Sequence, residues 1–357
     1  MKKYFVYQLK KSILPFALLA LICAIIYVLP VAVEDYHFWN THPDCNFVNL
    51  YTENILIVLG IMSVAAPTFF FAYKMNKRSV DMYYSLPISR TKIAAVHFIC
   101  GFICIFAAFT VGYIAGVVTV IEKVRRLYLL NYLWIYLAAI IPSLTLYTLS
   151  AFLYTRANTV VDGIIFIVLG LFALSVTYAI IHSVVVAAAG NGKVPSADGF
   201  LPWTALANVI DGLAPRIYGD TTAWWNLIKP QDTSTYEYSE YMYDVCSVVG
   251  TVTFTLLAAG AAFGLFFTEK NCKAENCGQI SESIFGYKVC IPLYLFSLCM
   301  VCGDDVIMLS LVIFAAAALA LIYRRTIKIG KKQAVLFAIY LAVSITCGIL
   351  VNLSHWI

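Results

Sequence analysis

The run IAAVHFICGFICIFAAFTVGYIAGVVTVI, Ile93 to Ile121, holds no Asp, Glu, Lys or Arg. A helix that crosses about 30 Å of hydrocarbon needs about 20 mostly apolar residues, so this run predicts a transmembrane helix. Working outward, comparable runs occur at Ile13–Val33, Ile55–Tyr73, Tyr132–Leu153, Gly163–Ala189, Ser247–Phe267, Val289–Cys302, Val306–Tyr323 and Ala334–Leu353. The expectation is an all-α polytopic membrane protein with about nine transmembrane helices. Composition agrees: 62% of residues are hydrophobic, 12% are charged and the mean hydropathy is +0.85. Soluble domains carry about 25% charged residues, so a water-soluble fold could not hide this much apolar surface. The first run is too long for a signal-peptide core of about 7–15 residues and is read as a retained helix.

Basic residues set the expected orientation. With a cytoplasmic N-terminus, eighteen of the 24 Lys and Arg fall on the inner side, from Lys2, Lys3, Lys10 and Lys11 to Lys331 and Lys332, while fourteen of the 19 acids fall outside. That satisfies the positive-inside rule. Gly303-Asp304-Asp305 is read as an outer hairpin, since acids are costly at mid-membrane; a single long kinked span there would invert everything downstream. Glu122-Lys123-Val124-Arg125-Arg126 breaks the pattern. Either the preceding span is longer than its apolar run, which the span arithmetic favours, or that connection binds something anionic.

Three segments do not span. Residues 1–12 place Phe5, Val6, Leu9 and Ile13 on one helical face and Lys3 and Lys10 on another, the pattern of a helix lying in the inner interface. Residues 74–92, KMNKRSVDMYYSLPISRTK, are the most informative. Ser79 can cap a helix with Asp81 in its first turn, and Pro87 drives Leu86 out of helical geometry, leaving about two turns. So short a helix is marginal alone. Its Val80, Tyr83 and Tyr84 beside Lys77 and Arg78 need a surface, either the chain's own helices and headgroups or a groove on a cytosolic partner. The third segment, 190–245, is the large polar outer region. There Pro202-Trp203 opens a run with Leu206, Val209, Ile210 and Leu213 on one face, suited to the outer membrane surface or to capping a cavity, and equally to a plain aromatic belt.

The eleven cysteines lie mostly in apolar runs, where a thiol acts as a small hydrophobe. Only Cys45 and Cys246 fall at or near outer segments, where an oxidising compartment permits a bridge. Cys299 and Cys302 lack the further ligands of a closed metal site, so no metal is expected. His182 is read as a core histidine. No Gly-x-x-x-x-Gly-Lys-Ser/Thr, His-Glu-x-x-His or Gly-x-Ser-x-Gly occurs, which removes the usual ATP-binding loop and the common hydrolase patterns.

Asn76-Lys77-Arg78-Ser79-Val80-Asp81 followed by Ser85-Leu86-Pro87-Ile88-Ser89-Arg90 resembles a loop of bacterial ABC-2 type permeases, in the Gram-positive branch with separately encoded ATPases. Lys273-Ala274-Glu275-Asn276-Cys277-Gly278 is similar to that branch's basic-x-Glu-x-x-Gly segment, and Tyr323-Arg324-Arg325 to the end of one of its spans. The resemblance implies a multi-pass permease subunit of an exporter in the bacterial plasma membrane, not an enzyme. It also implies a cytosolic ABC ATPase dimer and a second permease copy or paralogue as partners, beside membrane lipid and without nucleic acid. The chain itself would bind no cofactor; ATP and magnesium would sit on the ATPase. Lys77, Arg78, Asp81, Tyr84, Leu86, Pro87 and Arg90 would be coupling contacts, and Trp203, Leu206, Val209, Ile210 and Leu213 an extracellular gate. The expected layout is an interfacial helix 1–12, a six-helix core 13–267, a connector 268–288 and additional helices in 289–357, the last a departure from the six-helix family core. A membrane sensor that reads a cell-envelope ligand through 190–245 is the alternative. A stand-alone ion-coupled carrier is weakened by the lack of charged residues at mid-span.

Overall fold

The apolar run 93–121 is a single helix that overshoots both ends of its expected span, starting at Arg90 and ending at Lys123. The computed structural model describes residues 2–33, 52–123, 129–188, 237–270, 287–302 and 306–324, with single positions between 275 and 283 and between 334 and 346. Among these every regular element is helical. They are α1 Lys2–Val33, α2 Thr52–Phe70, a 3-10 turn Ala72–Met75, α3 Lys77–Tyr84, α4 Arg90–Lys123, α5 Leu129–Ala138, α6 Ile140–Tyr154, α7 Val160–Ala188, α8 Glu237–Glu269, α9 Tyr287–Cys302 and α10 Val306–Arg324.

Among the described residues four stretches are long and apolar enough to cross a membrane: Lys2–Val33, Arg90–Lys123, Ile135–Tyr154 and Val252–Glu269. Asn54–Phe70, Val160–Leu174 and Ser310–Leu319 are shorter apolar helices. These lengths suit an α-helical protein embedded in a membrane. At 1.5 Å per residue, the 34 residues of α4 reach about 51 Å, well beyond a hydrocarbon core of about 30 Å. Helical backbone thus carries Glu122 and Lys123 past the apolar run, so the anomalous basic connection follows a helix longer than its hydropathy indicates.

Other boundaries differ for local reasons. The expected span Tyr132–Leu153 is divided into α5 and α6 at Ala139, because Pro142 has no N–H for the Ala138 carbonyl. Residues 2–12 are continuous with the helix that follows, forming the opening turns of α1. Helix α8 begins at Glu237, within the polar stretch 190–245 and ahead of the expected span start at Ser247. The gate positions Trp203 to Leu213, Cys45 and most of the ninth expected span lie outside the described residues, as do the side chains of His182, Cys246, Cys299 and Cys302.

The chain forms two compact units: Met1–Phe71, Tyr84–Ala151 and Pro195–Asn271 make one; Ala72–Tyr83, Phe152–Val194 and Cys272–Ile357 make the other. In the first unit α1, α2 and α8 pack on α4. Close approach of α1 is permitted by Gly112, whose added Cβ would stand 2.5 Å from the Cys23 Cβ, and by Gly116, whose Cβ would enter the Tyr27 ring. This is the small-xxx-small device of membrane helix pairs, which associate by shape because apolar side chains gain nothing over lipid. Accordingly Val6, Ile13, Leu14 and Leu18 of α1 stay exposed while its Gln8 and Ser12 are buried. Polar groups seek protein partners: Tyr4 Oη and Gln8 Nε2 lie 2.8 and 3.4 Å from the ring nitrogens of buried His97 on α4.

In the second unit α9 packs against both α7 and α10. Phe166 meets Tyr287 edge to face at 4.8 Å between centroids, and Phe172 lies 6.3 Å from Tyr294. Gly163 of α7 accommodates the Tyr154 ring.

Candidate docking platform

The coupling segment starts from its caps. Asn76 Oδ1 accepts from the Arg78 N–H at 3.1 Å, so Asn76 is the N-cap of α3 and satisfies one of the orphan donors of its first turn. This corrects the expectation for Ser79, which lies inside the helix, and moves Asp81 from the first turn to the second. The two-turn length is as expected. Beyond Tyr84 the chain tightens, with Ile88 N–H donating to the Leu86 carbonyl at 2.7 Å, and Ser89 opens α4 by accepting from Lys92 and Ile93.

Burial divides α3 into two faces. Val80 is 2% and Tyr83 5% exposed, and the Tyr83 ring lies 4.9 Å from that of Tyr73 in the same unit. Lys77, Arg78, Asp81 and Met82 point outward, Met82 at 57% exposure. The open question of what the apolar stripe packs on is answered for Val80 and Tyr83, which are spent on the chain's own fold. In the other unit Tyr84 and Leu86 are half-buried and Pro87 and Arg90 exposed, with the Arg90 guanidinium 4.5 Å above the Tyr84 ring.

One further segment of the second unit comes close to α3. Gly278 donates its N–H to the Asn158 carbonyl at 2.9 Å, and a Cβ placed on Gly278 would stand 4.0 Å from the Lys77 Cε. The Ser281 hydroxyl donates to the Arg156 carbonyl. In the first turn of α7, Asp162 accepts from the Tyr287 hydroxyl at 2.8 Å, with both side chains buried. Asp162 is held from its other side by a cap, since its N–H donates to Thr159 Oγ1 at 3.2 Å, and its position suits the helix N-terminus. Lys77 thus lies beside Gly278, and the hydrogen bonds from Gly278 and Ser281 to the 156–158 turn give this docking platform its base, with Lys77 and Arg78 exposed.

Gly278 has a chemical reason to be glycine. Its φ of +80° lies in the left-handed region, where an L side chain costs about 1–2 kcal/mol. Gly278→Ala is expected to lower stability by about 1–2 kcal/mol and to expose Cys277, which is buried in the folded chain. Thiol labelling of Cys277 followed by peptide mass spectrometry measures this; unchanged labelling would contradict it.

Sequence reasoning missed Asn76, Asn158, Asp162, Ser281 and Tyr287. The Thr159-x-x-Asp162 spacing is a readable capping signal, but nothing local marks Tyr287 as its partner, 125 residues away. Among the described residues no group of three or more His, Cys, Asp or Glu could hold a metal ion. No protein-family model matches the chain, and no curated protein or solved structure matches it.

Proposed function

We propose that this chain is the membrane-spanning permease subunit of an ATP-binding cassette exporter, driven by a separately encoded ATPase that docks on residues 74–92. The observation that carries the reading is the two-faced α3: its apolar residues Val80 and Tyr83 are used internally, while Lys77, Arg78, Asp81 and Met82 are presented outward. A short helix held from behind, with charges and one flexible apolar side chain in front, suits a partner protein's groove. Met adapts well to such surfaces. The likeness of this loop and of the 273–278 segment to ABC-2 permeases is what makes an ATPase the partner. In this reading the chain has about nine spans and a cytoplasmic N-terminus in a bacterial plasma membrane, with an exporter-like core of six. It pairs with a second permease copy or paralogue, and ATP with magnesium is bound by the ATPase alone. Residues Trp203 to Leu213 form the extracellular gate.

The test is charge reversal on the presented face. Arg78→Glu combined with Asp81→Lys leaves Val80, Tyr83 and the Asn76 cap untouched, so membrane expression should be unchanged. Recovery of an ABC ATPase from the same membranes, through a tag on the permease, should fall at least ten-fold. Undiminished recovery by a normally expressed double variant would refute the docking role.

A further inference from the structure

The exposed residues of α3 are ordered by charge. With 3.6 residues per turn, Lys77, Asp81, Arg78 and Met82 follow one another round an arc of about 140°, and all four are exposed while Val80 and Tyr83 are buried. Along the axis the two basic residues come first, and Asp81 lies about 6 Å beyond Lys77.

The described fold leaves these charges unused. Among the described residues Lys77, Arg78 and Asp81 form no side-chain hydrogen bond or ion pair, although Lys77 and Asp81 stand at i and i+4. A basic residue N-terminal to an acidic one is the weaker order for such a pair. Lys77 also lies beside Gly278, which has no side chain to offer it.

The same charges oppose the helix that carries them. The first turn of α3 holds no acid, so Lys77 and Arg78 stand at the positive end of the helix dipole, where carboxylates are favoured. The Asn76 cap and the burial of Val80 and Tyr83 hold the helix despite this arrangement. Two unpaired cations and the helix end together make one strongly positive point, and a negative charge follows about one turn later.

We infer that the groove receiving α3 is acidic at the end that meets Lys77 and Arg78. It places carboxylates against those two side chains, a basic side chain about 6 Å further along against Asp81, and an apolar pocket around Met82. This assignment rests on the reading of the partner as an ABC ATPase and adds the chemistry of its docking surface and the direction in which α3 lies on it. Charges in a fixed order set register and speed encounter. An anionic membrane surface fits the face less well, because Asp81 sits between the two basic residues round the arc and would meet the headgroups.

The test uses full-length tagged permease in its own membranes, treated with a zero-length carbodiimide that joins an amine to a carboxylate only in direct contact. After capture, peptide mass spectrometry should show Lys77 joined to an Asp or Glu of the recovered ATPase. Lys77→Arg keeps the charge but has no amine to couple, so the crosslink should disappear at unchanged recovery. Without crosslinker, recovery by the wild-type protein should fall at least ten-fold between about 0.05 M and about 0.5 M salt, since exposed charges are screened over that range. Recovery by Lys77→Gln with Arg78→Gln should be low at both. ATPase recovered without a crosslink to Lys77, at a level indifferent to salt, would overturn the acidic groove and leave the ATPase reading standing. Failure of the wild-type protein to recover any ABC ATPase would overturn both. Recovery lost on exchanging anionic lipid for phosphatidylcholine, again without a crosslink, would place the basic pair on headgroups and overturn the inference.

Discussion

Replacing Gly116 with leucine is expected to separate α1 from α4 and to remove most of the stably folded protein. The added Cβ alone would enter the Tyr27 ring, and Tyr27 is fully buried with its ring tilted against that of Tyr113, centroids 5.9 Å apart. Neither ring can swing away without breaking the aromatic cluster that continues through Phe109 and Tyr136. Overpacking a dense interface costs about 1–3 kcal/mol and occasionally more. Here the obstruction lies at the contact between two long helices that have no hydrophobic driving force to restore their association. Gly116→Leu should therefore lower the thermal midpoint in detergent by several degrees or abolish the monodisperse peak. It should also open Cys23, buried one turn away on α1, to thiol reagents. The matched control is Gly260 on α8, where an added Cβ meets nothing within 4 Å; Gly260→Leu should leave both readouts unchanged. Equal behaviour of the two variants would mean that the α1–α4 contact carries little of the stability.

The second large effect is expected at the base of the docking platform. Tyr287→Phe removes the hydroxyl that donates to Asp162 Oδ1 and leaves the carboxyl buried. A hydrogen bond to a charged group contributes about 1.5–3 kcal/mol, and leaving its buried partner unsatisfied accounts for much of that loss. Because α9 is joined to α7 through this pair and the adjacent ring contact, the loss should appear as increased labelling of Cys277 and a lower unfolding midpoint. Asp162→Leu combined with Tyr287→Phe should cost less than the sum of the two single changes, since the double variant leaves no orphaned carboxyl. A double-mutant cycle measures that difference. Strict additivity would show that the two side chains do not act as a pair.

The exporter reading and these stability effects separate in experiment. Charge reversal at Arg78 and Asp81 touches exposed side chains and should change partner recovery without changing Cys277 labelling. Tyr287→Phe should change the labelling first, and partner recovery only as far as the platform loosens.

Much of the fold is written locally in the chain. Runs without charge specify membrane-length helices because hydrocarbon tolerates no unpaired backbone, and a helix satisfies its own. That is why the central helix and the two-turn α3 are readable from residues 93–121 and 77–84 alone. Even local reading falters where two residues compete for one role: Asn76 and Ser79 are both good caps, and the choice depends on where the preceding 3-10 turn stops. Tertiary structure alone decided the rest. It turned Val80 and Tyr83 inward, and brought Gly278 to Asn158 and Tyr287 to Asp162. Each of these depends on residues that come together only when helices pack, and neither hydropathy nor periodicity records which distant side chain fills a given space.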